Sequence, residues 1–150
     1  MPYLVDTNIL LRLLQRQDPK HETVRTALRV LRQRGEGLYY ASQNLVEFWC
    51  VCTRPVSANG FGLSIPETDR RARLIERLLT LLPDTPAIHT EWRSLVVTLG
   101  VSGVQVHDAR LVAAMRVHGL SDVLTLNPSH FARYPGIRAV HPETIGRESS

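Results

Sequence analysis

Cysteine is scarce in this chain of 150 residues, which contains only Cys50 and Cys52. Two cysteines are too few for a disulfide framework or a cysteine zinc site. At this spacing on a helix the two side chains would point to nearly opposite faces, so they could not bridge each other. We therefore predict two reduced thiols that pack in the core as small apolar side chains.

Long apolar runs are also missing. No segment approaches the roughly 18 consecutive apolar residues that a membrane helix requires. The N-terminus shows no apolar signal core, because Tyr3–Val5 runs directly into Asp6. A hydrophobic content of 43% with 21% charged residues is ordinary for a globular domain. We expect a cytoplasmic protein with no membrane partner, folded as one domain over residues 1–145 and ending in a disordered tail at 146–150.

Lysine is nearly absent, because Lys20 is the single lysine beside 17 arginines in a chain of net charge +4. The planar guanidinium group of arginine suits phosphate oxygens, which favours a nucleic-acid partner. The alternative is a genome-wide codon preference for arginine together with ordinary surface charge, and a net charge this small does not exclude it. The arginines between Arg70 and Arg77 are more typical of a solvated helix face than of a nucleic-acid patch.

Short apolar runs that end at turn or capping residues alternate with segments of helical periodicity. This alternation predicts an α/β fold with a mainly parallel central sheet. The predicted strands are Tyr3–Val5, Leu38–Ala41, Ala87–His89 at an edge, Val123–Leu126 and Ile137–Val140. The predicted helices are one that contains Ile9–Leu14, then His21–Arg34, Ser42–Thr53, Ser64–Leu82, Thr90–Leu99 and His107–Val117, and a short one that ends at Tyr134.

Asp6 stands directly after the first predicted strand and directly before a leucine-rich helix. Open α/β sheets usually place their ligand sites at this carboxyl end of a strand. The alternative is that Asp6 or Thr7 only caps the helix, because short polar side chains accept hydrogen bonds from the free N–H groups there. Position alone does not decide between these two roles, so the other carboxylates of the chain matter.

Glu47 lies in a predicted helix that is apolar nearly all round, which indicates that the helix is buried. Gln43 and Asn44 share a narrow polar stripe with it at helical spacing. An ionised glutamate in a buried helix is costly unless it is paired or binds a cation. A structural salt bridge, for example to Arg54, is the alternative to a functional role.

Asp108 opens a later helix and precedes Leu111 and Met115 by three and seven residues. It therefore shares their inward face, so that its carboxylate is directed towards the interior side of the helix. A first-turn aspartate also favours the helix dipole, which is the competing explanation.

Asn127 repeats the position of Asp6, because it also stands between a strand and a helix. As an N-cap followed by Pro128 it has a complete structural explanation. In a parallel sheet Asp6 and Asn127 would emerge at the same edge, where Glu47 and Asp108 could join them. Three clustered carboxylates repel each other unless a cation neutralises them, and hard ions such as Mg²⁺ suit all-oxygen sites. Such an ion can activate a water and stabilise charge on a phosphoryl group.

Four pieces of the sequence, in order and at these intervals, resemble the PIN-domain ribonucleases, particularly the VapC-like toxins of bacterial VapBC-type toxin–antitoxin pairs. The pieces are Val5–Asn8, Glu47 in its apolar helix, His107–Ala113, and Leu124–Asn127 followed by Phe131. The loop with Thr53–Pro55 and Asn59–Gly62 also looks like a stretch found in one bacterial branch. The resemblance covers essentially the whole chain and implies a PIN-like three-layer sandwich, with helices on both sides of a mainly parallel sheet.

The resemblance also implies an activity, that of a metal-dependent endoribonuclease which hydrolyses RNA phosphodiester bonds with a metal-activated water. Asp6, Glu47 and Asp108 would bind Mg²⁺ or Mn²⁺, Asp6 directly and the other two directly or through water, and Glu47 is the candidate base. The other implied site residues are Thr7, Asn8 and Asn127 as hydrogen-bonding support, and Arg54 and Arg110 as RNA contacts. The implied partners are RNA, a small cognate antitoxin protein and a second copy of the chain in a homodimer.

The chain departs from the family pattern at Asn127, where many members carry a fourth acid. Branch relatives with asparagine there often have an aspartate before the phenylalanine, where this chain has His130. Asp122 cannot substitute, because it lies at the opposite end of that strand. Asn127 can still form a hydrogen bond with a metal-bound water, but the site is less negative, so a second metal should bind more weakly.

Two other functions stay open on the sequence alone. The first is a catalytically weak or inactive PIN fold that binds RNA or a protein without cutting, because the fourth acid is missing. The second is an aspartate-nucleophile phosphatase, since Asp6 ends a first strand. That chemistry generally needs a second aspartate two residues later, where this chain has Asn8, and a lysine, which is present only as the badly placed Lys20.

Overall fold

Five parallel strands form the central sheet of the computed structural model, which describes residues 1–148. The strands are β1 (Tyr3–Val5), β2 (Leu38–Ala41), β3 (Thr80–Leu82), β4 (Asp122–Leu124) and β5 (Arg138–Val140). The helices are α1 (Thr7–Leu13), α2 (His21–Gln33), α3 (Ser42–Thr53), α4 (Ile65–Leu78), α5 (Pro86–Thr98), α6 (Val106–Val117) and α7 (Pro142–Glu148). The strand order is β3-β2-β1-β4-β5, so the first strand lies in the middle. The predicted α/β fold with a parallel sheet is confirmed.

Separate apolar clusters cover the two faces of the sheet, because alternate residues of a strand point to opposite sides. On β1, Tyr3 and Val5 belong to the cluster that includes buried residues of α1, α2, α3 and α7. Leu4, between them, belongs to the other cluster, which includes buried residues of α5 and α6. Helices therefore cover both faces, which is the expected three-layer arrangement. Within residues 1–148, no helix is both long enough and apolar enough to cross a membrane.

The pairing of β1 with β4 sets the position of the candidate site. Val5 lies opposite Leu124 in parallel register, and the backbone N–H of Asp6 donates to the Leu124 carbonyl at 3.0 Å. Asp6 and Thr125, the next residue of each strand, therefore emerge together at the carboxyl edge of the sheet. The helix α1 begins immediately afterwards at Thr7.

The predicted helix Ser64–Leu82 is wrong at its C-terminal end, because α4 stops at Leu78 and Thr80–Leu82 forms the edge strand β3. A run rich in leucine fits either a helix or a strand, so its local pattern could not separate them. Tertiary pairing decides, since Leu81 lies opposite Tyr40 on the open edge of β2. Ser64, where the helix was predicted to begin, is the N-cap of α4, and its side chain accepts a hydrogen bond from the backbone N–H of Glu67 at 3.2 Å.

The predicted edge strand Ala87–His89 is also wrong. These residues form the first turn of α5, in which Pro86 occupies an opening position that proline favours. Thr90 consequently lies inside the helix and is not its cap. The connection between α5 and α6 contains a short 3-10 turn at Gly103–Gln105.

The C-terminal helix extends into the segment predicted as a disordered tail. Residues 146–148 belong to α7, so the prediction is wrong for them, whereas residues 149–150 lie outside the described part of the chain. Ile145 explains the difference, because it is buried in the same cluster as the inward residues of α2. Arg34 and Glu148 also form an ion pair at 3.3 Å between the ends of these two helices.

Both cysteines are free thiols, as predicted, but only Cys52 lies in the core. Burial raises the pKa of the Cys52 thiol to about 11. Cys50 is exposed, so the prediction that it packs in the core is wrong. Because α3 presents Cys50 to solvent, the helix is less completely buried than its apolar sequence suggested.

Candidate active site

Asp6 occupies the corner between β1 and α1, and both of its carboxylate oxygens accept hydrogen bonds. The backbone N–H of Thr7 donates to Oδ1 at 2.8 Å, which makes Asp6 the N-cap of α1. The Thr125 hydroxyl donates to Oδ2 at 2.8 Å. Asp6 is only 8% exposed, and this burial raises its pKa to about 6 although both hydrogen bonds act in the opposite direction. Capping the helix and contributing to a site are therefore compatible roles of Asp6.

Thr125 is a site residue that the sequence interpretation did not select. It is fully buried at the end of β4, and its hydroxyl oxygen also accepts a hydrogen bond from the backbone N–H of Asn127 at 3.1 Å. The register of β1 against β4 is the signal that identifies it, because that register places Thr125 beside Asp6. The sequence around a neutral threonine in an apolar strand does not mark it as a site residue. It can be recognised only when the neighbouring strand is known.

Glu47 projects from α3 towards the start of α1, where the hydroxyl of Thr7 donates to its Oε1 at 2.9 Å. The amide of Gln43, one turn earlier, donates to Oε2 at 3.4 Å. The alternative salt bridge to Arg54 is not formed in the described chain, because the Arg54 guanidinium donates to the Asn59 carbonyl at 3.1 Å instead. Glu47 is therefore held by neutral donors, and its charge has no cationic partner among residues 1–148.

Asn44 is a second supporting residue, and it connects α3 to α1. Its side-chain amide donates to the Thr7 hydroxyl at 3.1 Å, while its carbonyl oxygen accepts from the backbone N–H of Ala41 at 2.8 Å. Ala41 is thus the N-cap residue of α3, which begins at Ser42 as predicted. Asn44 is fully buried and both ends of its amide are hydrogen-bonded, one to the backbone of Ala41 and the other to the Thr7 hydroxyl that contacts Glu47. The sequence feature that pointed to Asn44 was the polar stripe that it shares with Gln43 and Glu47.

Asp108 lies in the first turn of α6, half-buried, and faces His130. The imidazole Nδ1 of His130 is 3.8 Å from Asp108 Oδ2. Burial raises the pKa of Asp108, the positive charge that His130 can carry acts against this shift, and Glu47 adds to it. The carboxylate accepts no hydrogen bond within residues 1–148, so it is held less firmly than that of Asp6.

One open pocket brings most of the predicted site residues together. Its volume is about 390 Å³, and it is lined by Asp6, Thr7, Asn8, Leu11, Glu47, Cys50, Val51, Arg54, Asp108 and His130. The three predicted carboxylates are all present. Asn8 also accepts a hydrogen bond from the backbone N–H of Leu126 at 3.3 Å, which fixes the chain that leaves β4.

Asn127 and Arg110 are predicted site residues that the structure leaves outside the pocket lining. Asn127 is the N-cap of the 3-10 turn Pro128–Phe131, with Pro128 in the first turn as predicted, but within residues 1–148 its side chain makes no capping hydrogen bond. The Arg110 guanidinium donates to the side-chain Oε1 of Gln43 at 3.3 Å and lies 3.6 Å from Asp84 Oδ1. Arg110 thus reaches the site only through Gln43, whereas Arg54 lines the pocket itself.

The carboxylates of the pocket provide oxygen ligands of the kind that a divalent cation binds in proteins. Within residues 1–148, no three side chains of His, Cys, Asp or Glu lie close enough to hold one ion between them. Mg²⁺ does not need such a cage, because it usually keeps several waters and takes one or two carboxylates. Asp6, Glu47 and Asp108 in one solvent-open pocket therefore fit a hydrated hard cation, with waters between some carboxylates and the ion.

Residues 3–137 of the chain match the family model of the PIN domain. Similar solved structures include VapBC2 from Rickettsia felis bound to a DNA fragment from its promoter, with TM-score 0.68, 16% identity, and 94% of this chain and 98% of that chain covered. DNA-bound VapBC from Salmonella typhimurium gives TM-score 0.66 and 19% identity over 95% of this chain and 98% of that chain. VapC20 from Mycobacterium tuberculosis, a toxin that cleaves the sarcin–ricin loop, gives TM-score 0.61 and 19% identity over 91% and 98%.

At these identities the structural similarity establishes the fold, and comparison with curated proteins gave no significant match. The family match, by contrast, spans nearly the whole chain. It agrees with the parallel sheet of five strands and with an acidic pocket at the carboxyl edge of that sheet. The chain therefore belongs to the PIN domain family, as its sequence resemblance implied.

Proposed function

We propose that this PIN-domain protein is a divalent-metal-dependent endoribonuclease and the toxin of a type II toxin–antitoxin pair. The observation that carries the proposal is that Asp6, Glu47 and Asp108 line one open pocket. Clustered carboxylates without matching cations are costly, and a divalent ion relieves that cost. The similar solved structures include VapBC complexes, a toxin–antitoxin complex from Klebsiella pneumoniae and a toxin that cleaves the sarcin–ricin loop, which supports the same assignment.

Mg²⁺ or Mn²⁺, when bound, would supply water activation and stabilisation of charge on the phosphoryl group. Asp6 would be a direct ligand, because the hydrogen bonds from Thr7 and Thr125 fix both of its oxygens and still leave lone pairs free. Asp108, which lines the same pocket, would contribute directly or through water. Glu47 lines the same pocket, and its Oε1 accepts only a neutral hydroxyl donor from Thr7, so it is the candidate base.

Arginine side chains near the pocket would hold the RNA phosphates. Arg54 lines the pocket, and one nitrogen of its guanidinium donates a hydrogen bond to the Asn59 carbonyl. Arg110 lies behind Gln43 and would contact RNA that extends beyond the pocket. Replacing Arg54 with glutamine should weaken RNA binding more strongly than the same change at Arg110.

A second cavity fits the antitoxin partner. A groove of about 590 Å³ lies between α2 and α4, with a floor of leucine side chains. Six arginines line it: Arg16, Arg25, Arg29, Arg32, Arg70 and Arg71. Of these, Arg16, Arg29 and Arg32 form no ion pair within residues 1–148. An apolar floor with a basic lining is complementary to an acidic amphipathic segment, so we assign this groove to the antitoxin.

A homodimer, which the resemblance implies, and a cytoplasmic location, which the sequence predicts, also remain predictions. The face formed by α3 and β3 supports a protein contact, because Val46 and Leu81 are exposed there beside a pocket that Trp49 lines. Sedimentation of the purified chain tests the dimer, and a Val46→Glu, Leu81→Glu variant should sediment as a monomer.

The second candidate is a PIN fold that binds RNA with little or no cleavage. The observation that favours it is the absence of Asn127 from the pocket lining, together with a histidine that faces Asp108. Neither a neutral asparagine nor an imidazole supplies the negative charge of the fourth acid that many family members carry. RNA binding without turnover in either Mg²⁺ or Mn²⁺ would support this alternative.

RNA cleavage by the purified chain tests the proposal. Cleavage should require Mg²⁺ or Mn²⁺, stop in EDTA and be abolished by Asp6→Asn. Asp69→Asn is the matched control, because this carboxylate lies on the exposed face of α4 and pairs only with Arg73 at 3.6 Å. Cleavage that continues in EDTA, or is equal in the two variants, would contradict the assignment.

The antitoxin assignment has its own test. A small acidic protein that co-purifies with the chain from its native host should inhibit cleavage when it is added back. Arg29→Glu combined with Arg32→Glu should abolish this inhibition and keep cleavage intact, because both residues lie in the groove and outside the carboxylate pocket. Inhibition that is unchanged by the double substitution would place the partner elsewhere.

A further inference from the structure

His130 occupies the corner of the carboxylate pocket where the sequence had suggested Asn127. It lines the same pocket as Asp6, Glu47 and Asp108, whereas Asn127 does not. Two features fix its backbone: the His130 N–H donates to the Asn127 carbonyl at 3.1 Å, and the next residue, Phe131, is buried in the core. The ring is free to turn, because it is 56% exposed and makes no hydrogen bond within residues 1–148.

The distance between His130 and Asp108 suits two ligands of one ion. Adjacent ligands of an octahedral ion, each about 2.1 Å from it, lie about 3 Å apart. The Nδ1 of His130 is already 3.8 Å from Oδ2 of Asp108, and both face the pocket. A small rotation of the exposed imidazole would bring Nδ1 to coordinating distance without moving the backbone.

We propose that His130 is a nitrogen ligand of the cation at this site, and that the pocket consequently selects Mn²⁺ over Mg²⁺. The inference rests on the proposed metal-dependent function and deepens it. Mg²⁺ takes oxygen ligands and dehydrates reluctantly, so an imidazole adds little to its binding. Imidazole nitrogen suits transition-metal ions, and Mn²⁺ also accepts the carboxylates that Asp6 and Asp108 provide.

The competing role of His130 is an ion pair with Asp108, in which a charged imidazole takes the place of the cation. The two roles make opposite predictions for metal binding. A ligand strengthens Mn²⁺ binding, so its removal weakens the complex. A competing positive charge weakens Mn²⁺ binding, so its removal strengthens the complex.

Pulsed EPR of Mn²⁺ bound to the full-length chain gives a readout that does not depend on RNA cleavage. The wild-type complex should show coupling of the Mn²⁺ electron spin to a directly bound ¹⁴N nucleus. His130→Asn should abolish that coupling and lower the Mn²⁺ affinity by about tenfold or more, with little change in Mg²⁺ affinity. His107→Asn is the matched control, because His107 is adjacent to Asp108 in sequence but outside the pocket lining, and it should keep the coupling.

A second variant keeps the test decisive if His130→Asn folds poorly. His130→Asp replaces the nitrogen ligand with an oxygen ligand, so it should remove the ¹⁴N coupling and reduce the preference for Mn²⁺ over Mg²⁺. Wild-type Mn²⁺ binding without ¹⁴N coupling would overturn the role of His130 while leaving a metal-dependent nuclease in place. A chain that binds neither ion and cleaves no RNA would overturn both the ligand assignment and the proposed function. Tighter Mn²⁺ binding by His130→Asn would establish the ion pair and reject the ligand.

Discussion

The Thr125 hydroxyl donates a 2.8 Å hydrogen bond to Asp6 Oδ2 across 119 residues of sequence. The bond joins the ends of β1 and β4, the two neighbouring strands whose register places these residues together. It is buried and it involves the acid on which the site is built, so several measurable properties depend on it.

Thr125→Val should remove this hydrogen bond while keeping the shape of the side chain. Because the bond is buried and its acceptor is a carboxylate, we expect the free energy of unfolding at pH 7 to fall by about 2 kcal/mol. Urea denaturation in EDTA measures the change. Thr98→Val, on the exposed face of α5, is the control and should alter stability by less than about 0.5 kcal/mol. Equal stabilities of the two variants would show that the bond contributes nothing.

The stability of the metal-free chain should depend on pH through Asp6. The pKa of Asp6 is raised to about 6 in the folded chain, chiefly by burial, from an ordinary value of 3.8. The folded chain therefore holds this proton more tightly than the unfolded chain. The resulting stabilisation is complete below about pH 4 and is lost as the pH rises through about 6, a total of about 3 kcal/mol.

Urea denaturation between pH 4 and pH 7.5 tests this dependence. Asp6→Asn has no proton to lose, so its free energy of unfolding should rise relative to the wild type over this range. The Asp69→Asn variant should follow the wild-type curve, because Asp69 is exposed. Parallel curves for Asp6→Asn and the wild type would mean that Asp6 has an ordinary pKa in the folded chain.

Binding of Mn²⁺ should reverse the destabilisation that an ionised Asp6 causes near neutral pH. A ligand that binds only the folded chain stabilises it by about 2.7 kcal/mol when its concentration is 100 times its Kd. Thermal denaturation should therefore show a higher Tm with Mn²⁺ and a return to the starting value with EDTA. Asp6→Asn should show no increase, and an equal increase in both proteins would place the ion at another site.

The two thiols should differ in reactivity towards an aromatic disulfide reagent at pH 8. Cys50 is exposed, whereas Cys52 is fully buried with its pKa raised to about 11, so it holds almost no thiolate. One thiol should react rapidly in the folded chain, and the second only in urea. Cys50→Ser should remove the rapid phase completely, and a remaining rapid phase would show that Cys52 is accessible.

Much of the site could be predicted from the sequence, because its acids occupy positions that general rules recognise. Asp6 ends a strand and opens a helix, which is where open parallel sheets place ligands. Glu47 and Asp108 lie on the inward sides of their helices, where a carboxylate needs a partner. These rules use only the local sequence around each acid, and all three acids that they select line the pocket in the structure.

The supporting residues depend on tertiary structure and could not be predicted in the same way. Thr125 matters only because β4 lies beside β1, and a sequence does not give strand neighbours. Asn127 repeats the local pattern of Asp6, yet the 3-10 turn that follows it brings His130 into the pocket instead. The strand β3 was missed for a similar reason, since the free edge of β2 selected its conformation.

Asp6 and Asp108 differ in how firmly they are held, and this difference divides the pocket into a fixed side and an adjustable side. Asp6 is locked at the centre of the sheet by two hydrogen bonds, whereas the one partner of Asp108 within residues 1–148 is an exposed imidazole. Most of the side-chain entropy lost on loading the site would therefore come from Asp108 and His130. The pocket can adapt to ions of different radius and hydration through these two side chains, while the sheet that carries Asp6 keeps its geometry.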